Sequence, residues 1–132
     1  MTSPILALQR ATHHTLGALK DALADLRLTA SETNALANLA DGRPRSVREL
    51  TVDTGTKATT LTGVLDRLER RGYLARELNH ADRRSFELRL TRSGETVATR
   101  VAATVAELER AALDGLPEEQ INGFHAVLEA LS

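Results

Sequence analysis

The sequence has no cysteine, no tryptophan and only three aromatic residues, Tyr73, Phe86 and Phe124, among its 132 positions. Without cysteine there is no disulfide framework, no thiolate-ligated zinc or iron–sulfur centre, no thiol nucleophile and no thiol-based redox sensor. So few aromatics leave little with which to stack the bases of a single strand or the face of a flat ligand. Long apolar runs are also missing. A stretch such as residues 11–19 goes nine positions without a charge, about half of what a membrane-spanning helix needs. Met1-Thr2-Ser3-Pro4 lacks the basic start of a secretion signal, so a soluble, cytoplasmic chain without a membrane partner is expected. The sequence carries neither a phosphate-cradling glycine motif nor a Gly-x-Ser-x-Gly elbow, and its histidines have no acidic partner at a recognisable spacing. These absences predict a protein that is not an enzyme and needs no cofactor.

What is present is enough for one domain with a real core, since 42% of the residues are apolar. The net charge of −1 conceals a strong division. Residues 43–92 hold twelve basic and seven acidic side chains, whereas the rest of the chain holds five basic and eleven acidic ones. Fifteen of the seventeen cations are arginine, whose planar fork grips phosphate and the edge of guanine. A basic middle between acidic flanks suggests a nucleic-acid-facing module on an acidic body.

Apolar positions Ile5, Leu8, Leu16, Leu19, Leu23 and Leu26, with Thr12, recur three or four apart and predict one long amphipathic helix, with Pro4 in its first turn. Thr29-x-x-Glu32 and Ser46-x-x-Glu49 are capping-box spacings that open a second and a third helix. Gly55 breaks the third. A fourth runs from position 56 or 57 to 71, with Leu61, Val64 or Leu65, and Leu68 inward, and stops at Gly72. Two helices joined by a short glycine turn, the second longer and basic, form a helix-turn-helix candidate. Leu74, Arg76 and Leu78, then Phe86, Leu88 and Leu90, alternate as two strands around a charged loop, which is a wing. Thr91 caps a long fifth helix and Pro117 opens a sixth with Ile121, Phe124, Val127 or Leu128, and Leu131 inward. The stripes on the first and last two helices need a partner, and a second copy of the chain is the economical one.

Leu50, Thr59-Thr60-Leu61-Thr62, residues 65–74 (Leu-Asp-Arg-Leu-Glu-Arg-Arg-Gly-Tyr-Leu), Arg76, Asp82-Arg83-Arg84 and Leu90-Thr91-x-x-Gly94, in this order and spacing, resemble the MarR family of bacterial transcriptional regulators. The resemblance implies a mainly α fold with a small two-stranded β-wing, a winged helix-turn-helix with N- and C-terminal dimerisation helices. It divides the chain into residues 1–28, a dimerisation helix; 29–92, the DNA-binding lobe; and 93–132, further dimerisation helices. It also implies a homodimer on double-stranded DNA bearing an inverted repeat, usually a repressor released by a small-molecule effector. Thr51 stands where the family usually has alanine, and Thr54 and Thr56 where aliphatic residues are usual, so a looser helix-turn-helix corner is expected.

A helix entering the major groove needs short donors near its start and cations that reach phosphate or guanine. Lys57, Thr59, Thr60, Thr62, Arg67 and Arg70 meet that need. Arg45 and Ser46, at the start of the third helix, are candidate phosphate contacts because helix N-termini attract anions. By resemblance, Asp82 pairs with Arg84 to brace the wing, and a wing arginine, Arg83 or Arg84, enters the minor groove, where a narrow cleft concentrates negative potential. The resemblance also places an effector pocket where the first and fifth helices meet the lobe, with His13, Leu16 and Lys20 as candidates. No metal site is expected, since no His-x-x-x-His spacing occurs. Two rival readings remain: a metal-responsive regulator using histidines, and a winged-helix protein-interaction module without specific DNA binding.

Overall fold

The computed structural model describes residues 2–79, 81–82 and 85–132. Helix α1 spans Pro4–Ala22; Ser3 caps it by accepting from the Leu6 N–H, and Pro4 sits in the first turn, where a missing N–H costs nothing. The apolar spacing predicts a helix continuous to Leu26, but α1 ends at Ala22 and a single 3-10 turn at Ala24–Leu26 follows. The break lies at buried Leu23, and Arg27 then adopts a left-handed backbone (φ 52°), through which a right-handed helix cannot continue.

Both predicted capping boxes are formed. Thr29 accepts from the Glu32 N–H at 3.1 Å and its own N–H donates to the Glu32 carboxylate at 2.9 Å, which opens α2, Ala30–Leu39. Ser46 and Glu49 repeat the arrangement at the start of α3, Val47–Thr54. Gly55, at φ 69°, makes the turn to α4, Ala58–Arg70. At this corner hydrogen bonds take the place of aliphatic contact. The Thr54 hydroxyl donates to the Leu50 carbonyl at 2.7 Å and accepts from the Thr56 N–H, while the Asn34 amide donates to the Thr54 carbonyl.

The predicted two-stranded wing has a third strand. Strand β1 is Arg45–Ser46, β2 is Leu74–Leu78 and β3 is Phe86–Leu90, in the antiparallel order β1-β3-β2. Leu74 faces Leu90, Arg76 faces Leu88 and Leu78 faces Phe86, while Arg45 pairs with Leu88 on the other edge of β3. Two residues are too few to leave an alternating pattern in a sequence, which is why β1 escapes detection. After β3, Thr91 caps α5, Arg92–Leu113, and α6 follows at Glu118–Leu131.

Thr91 and Gly94 join α5 to the end of α4. The Thr91 N–H donates to the Tyr73 carbonyl, its hydroxyl donates to the Gly72 carbonyl at 2.6 Å, and the Gly94 N–H donates to the Thr91 hydroxyl. A Cβ on Gly94 would lie 1.9 Å from the Tyr73 carbonyl oxygen, so only glycine lets these backbones meet. Around this joint Leu36, Leu39, Leu50, Leu61, Leu65, Leu68, Leu74, Leu88 and Ala98 form one core. Each fully buried leucine contributes roughly 1.5–3 kcal/mol. Neither α1 nor α6 contributes a buried residue. Among the described residues no helix is long and apolar enough to cross a membrane.

Candidate nucleic-acid interface

Helix α4 buries Leu61, Val64, Leu65 and Leu68 on one stripe, which at 3.6 residues per turn turns Thr59, Gly63, Arg67 and Arg70 outward. Lys57, at its N-cap, and Thr59, Thr60, Thr62, Arg67 and Arg70 are all exposed. Thr62 donates its hydroxyl proton to the Ala58 carbonyl at 2.9 Å, leaving its oxygen as an acceptor. Among the described residues, the side chains of Lys57, Thr59, Thr60, Arg67 and Arg70 have no hydrogen-bond or ion-pair partner. Six predicted contact residues thus share one exposed helix, with Lys57 at its N-cap, three threonines in its first half and two arginines toward its end.

Arg76 on β2 fixes this helix against the wing. Its guanidinium lies 2.6 Å from the Asp66 carboxylate and 3.5 Å from that of Glu69, both on α4. The pairing joins a strand to a helix ten residues back, so the wing cannot swing without breaking it. On the opposite face of the wing, Arg89 pairs across the strands with Glu77 at 3.2 Å.

The predicted contacts Arg45 and Ser46 separate. Ser46 is the cap of α3, with its hydroxyl oxygen held by the Glu49 N–H; the bond from the Ser46 N–H in turn keeps the Glu49 carboxyl below its ordinary range. Arg45 needs correction. Its side chain is only 9% exposed, and all five of its N–H groups are occupied. They reach both oxygens of Asp41, the Asp53 carboxylate and the carbonyls of Arg43 and Asn38. No donor is left for a phosphate, so Arg45 braces the junction of α2, β1 and α3 instead. The bond from Arg45, and after it that from the Arg43 N–H, hold the Asp41 carboxyl far below the usual carboxylate range. The aspartates four positions before and eight after Arg45 were the available signal.

In the wing loop the Asn79 side chain accepts from the Ala81 and Asp82 N–H groups, and the Asp82 carbonyl accepts from the N–H and hydroxyl of Ser85. Asp82 therefore stands within a turn built by Asn79. Arg83 and Arg84 lie outside the described residues, as does the pairing of Arg84 with Asp82.

Two of the three predicted ligand residues come together. Leu16 and Lys20 line a cleft of about 160 Å³ between α1 and α2, with Leu28, Ala30 and Thr33. An adjoining cleft of about 440 Å³ reaches Asn34, Ala37 and Val105 of α5. His13 lies outside both, one turn closer to the N-terminus. His13 and His14 are exposed on α1 and His125 on α6, and no group of three potential metal ligands occurs among the described residues.

Contacts that no sequence pattern announced close the molecule around the turn after α1. Arg100 of α5 grips Asp25 with two bonds of 2.5 and 2.7 Å, which draw the Asp25 carboxyl below its ordinary pKa. Arg71, the C-cap of α4, donates to the carbonyls of Leu26 and Arg27.

A buried helix-turn-helix, a sheet hinged on its second helix and an exposed cationic face define a winged helix-turn-helix protein. A family model described as MarR family matches residues 26–85. The HTH-type transcriptional regulator PecS of Dickeya dadantii (strain 3937) is 33% identical over 114 residues, covering 84% of this chain and 69% of PecS. The chain belongs to the MarR family of transcriptional regulators. Among solved structures it is similar to a putative MarR family regulator from Listeria monocytogenes complexed with 26mer DNA, at 16% identity and a TM-score of 0.86. That match covers 99% of this chain and 87% of the other. It is also similar to Bordetella bronchiseptica BpsR, whose DNA binding is regulated by 6-hydroxynicotinic acid, at 23% identity and a TM-score of 0.79 over 98% and 92% of the two chains. These two likenesses show the fold.

Proposed function

We propose that the chain is a sequence-specific, double-stranded DNA-binding transcriptional regulator, a homodimeric repressor in the cytoplasm that a small ligand releases from an inverted repeat. The observation that carries this reading is the outward face of α4, where Lys57, Thr59, Thr60, Arg67 and Arg70 stand exposed without partners among the described residues. Donors and cations so placed suit base edges and phosphates of the major groove. Ser46, Thr62 and the wing residues Arg83 and Arg84, with Asp82 as brace, complete the proposed contact set. Residues 29–92 meet the DNA, and residues 1–28 and 93–132 join the two copies. Two recognition helices then fall about 34 Å apart, one turn of the duplex. The clefts beside Leu16 and Lys20 offer room for the ligand. The reading assigns the chain no catalytic residue.

The test is selection of bound duplexes from a random DNA pool, with the bound fraction followed against salt. A regulator enriches one inverted repeat and loses affinity steeply as salt rises. Replacing Arg84 by alanine then weakens binding by about 1–3 kcal/mol with the fold retained. Absence of binding at any salt concentration overturns the reading in favour of a protein-interaction module.

A further inference from the structure

Seven residues separate the end of α1 from the start of α2, and side chains from two other helices hold this connection. Leu23 anchors it in the interior. Arg100 on α5 grips Asp25 with two bonds. Arg71, at the end of the recognition helix, donates through Nη1 to the Arg27 carbonyl at 3.0 Å and through Nη2 to the Leu26 carbonyl at 2.8 Å. Its guanidinium also lies 5.1 Å from the centre of the Tyr73 ring. Leu26 and Arg27 end the 3-10 turn, where unpaired carbonyls favour a cation, and the left-handed backbone of Arg27 accompanies this paired acceptance by one planar fork.

Among the described residues, no other side-chain hydrogen bond joins the end of α4 to α1 or to the connection that follows it. The connection carries α1 into the lobe, and Arg71 binds its exit directly to the helix that reads DNA. We propose that Arg71 is a positioning residue that sets the angle of the recognition helix against the dimer-forming helices, and with it the half-site spacing that the dimer accepts. This rests on the DNA-binding reading above. Arg71 differs in role from Arg67 and Arg70: its guanidinium faces the protein's own backbone, and it governs where the helix lies rather than what the helix touches. A cation acting on geometry leaves the number of neutralised phosphates unchanged, whereas a phosphate contact contributes about one unit to the salt slope.

The experiment uses the full chain and the inverted repeat enriched from the random pool, together with the same duplex carrying one or two base pairs inserted between its half-sites. Wild type is expected to discriminate against the inserted duplexes by about tenfold or more. Arg71→Ala narrows that ratio to about threefold or less with an unchanged salt slope, and Arg71→Lys, which keeps the charge without the fork, falls between them. Discrimination retained in Arg71→Ala overturns the proposal, as does a uniform loss on every duplex with a shallower salt slope, which marks a phosphate contact. A second measurement needs no DNA. Because the chain has no cysteine, a spin label at Val52→Cys, an exposed site on α3, reports the distance between lobes in the dimer. Arg71→Ala broadens that distribution if the positioning role holds, and an identical distribution overturns it. Failure of wild type to enrich any repeat, with the broadening still observed, defeats the DNA-binding reading while leaving the link between lobe and dimer helices in place.

Discussion

The lobe between Thr29 and Leu90 and the helices outside it solve the problem of burial in opposite ways. Within the lobe, α2, α3, α4 and the sheet bury their apolar side chains on one another, and Leu36, Leu50, Leu68 and Leu88 are wholly enclosed. Outside it, α1 has the same three-and-four apolar spacing yet buries nothing, and α6 leaves Phe124, Val127 and Leu131 about half exposed. Most of the exposed large apolar side chains lie in α1, α6, the far end of α5 and the turn that joins α5 to α6; Val52, Leu78 and Phe86 are the others. A periodic stripe thus states that a helix face will be covered without stating by which molecule. The lobe carries its own partners in its sequence, and the outer helices leave their apolar faces uncovered, as the proposed dimer requires.

Substitutions sharpen this contrast when the same chemical change is made in both regions. Leu68→Ala, in the enclosed core, is expected to lower stability by about 2–5 kcal/mol in denaturant unfolding, whereas Leu131→Ala in α6 shifts the unfolding of the lobe little. Equal losses at the two positions would erase the distinction. Gly94→Ala drives a methyl group into the Tyr73 carbonyl and forces α5 away from α4, at a cost of about 1–3 kcal/mol read from thermal melting. Phe124→Asp acts on the outer region alone. It should raise the dimer dissociation constant by about tenfold or more in sedimentation while the lobe melts as before.

The smallest expected effect concerns Asp41, at the polar brace of the lobe. Its carboxyl titrates lower in the folded chain than in the unfolded one, so it contributes stability above its unfolded value of about 4, and that contribution fades as pH falls through the depressed folded value. Asp41→Asn removes about 1 kcal/mol at neutral pH and flattens the acid limb of a stability–pH profile. An acid limb unchanged by this substitution would assign the pH response to other carboxylates.

Local signals were the legible ones. Both capping boxes, the glycine stops at positions 55 and 72 and the alternation of Phe86, Leu88 and Leu90 depend on residues within a few positions of one another, and each element formed at those signals. Phe86 shows the limit of alternation: it shares a face with Leu88 and Leu90 but lies 53% exposed at the outer end of the wing. The exposed face of α4 followed from its buried stripe. At Arg45 the helix-start position suggests a contact with anions, but burial, which depends on how α2, β1 and α3 converge, directs its fork inward. The bonds from Arg71 to Leu26 and Arg27 and from Arg100 to Asp25 join residues more than forty positions apart, and a single sequence contains nothing that pairs them.

Helix α5 begins inside the lobe, fastened there by Thr91 and Gly94, and continues beyond it for a total of 22 residues. At 1.5 Å per residue it is a rod about 33 Å long. A tilt of about 10° at its root displaces its far end by about 6 Å on that length. The joint at Tyr73 is therefore the fulcrum of a lever, and whatever shifts the outer half of α5 turns the lobe at its base.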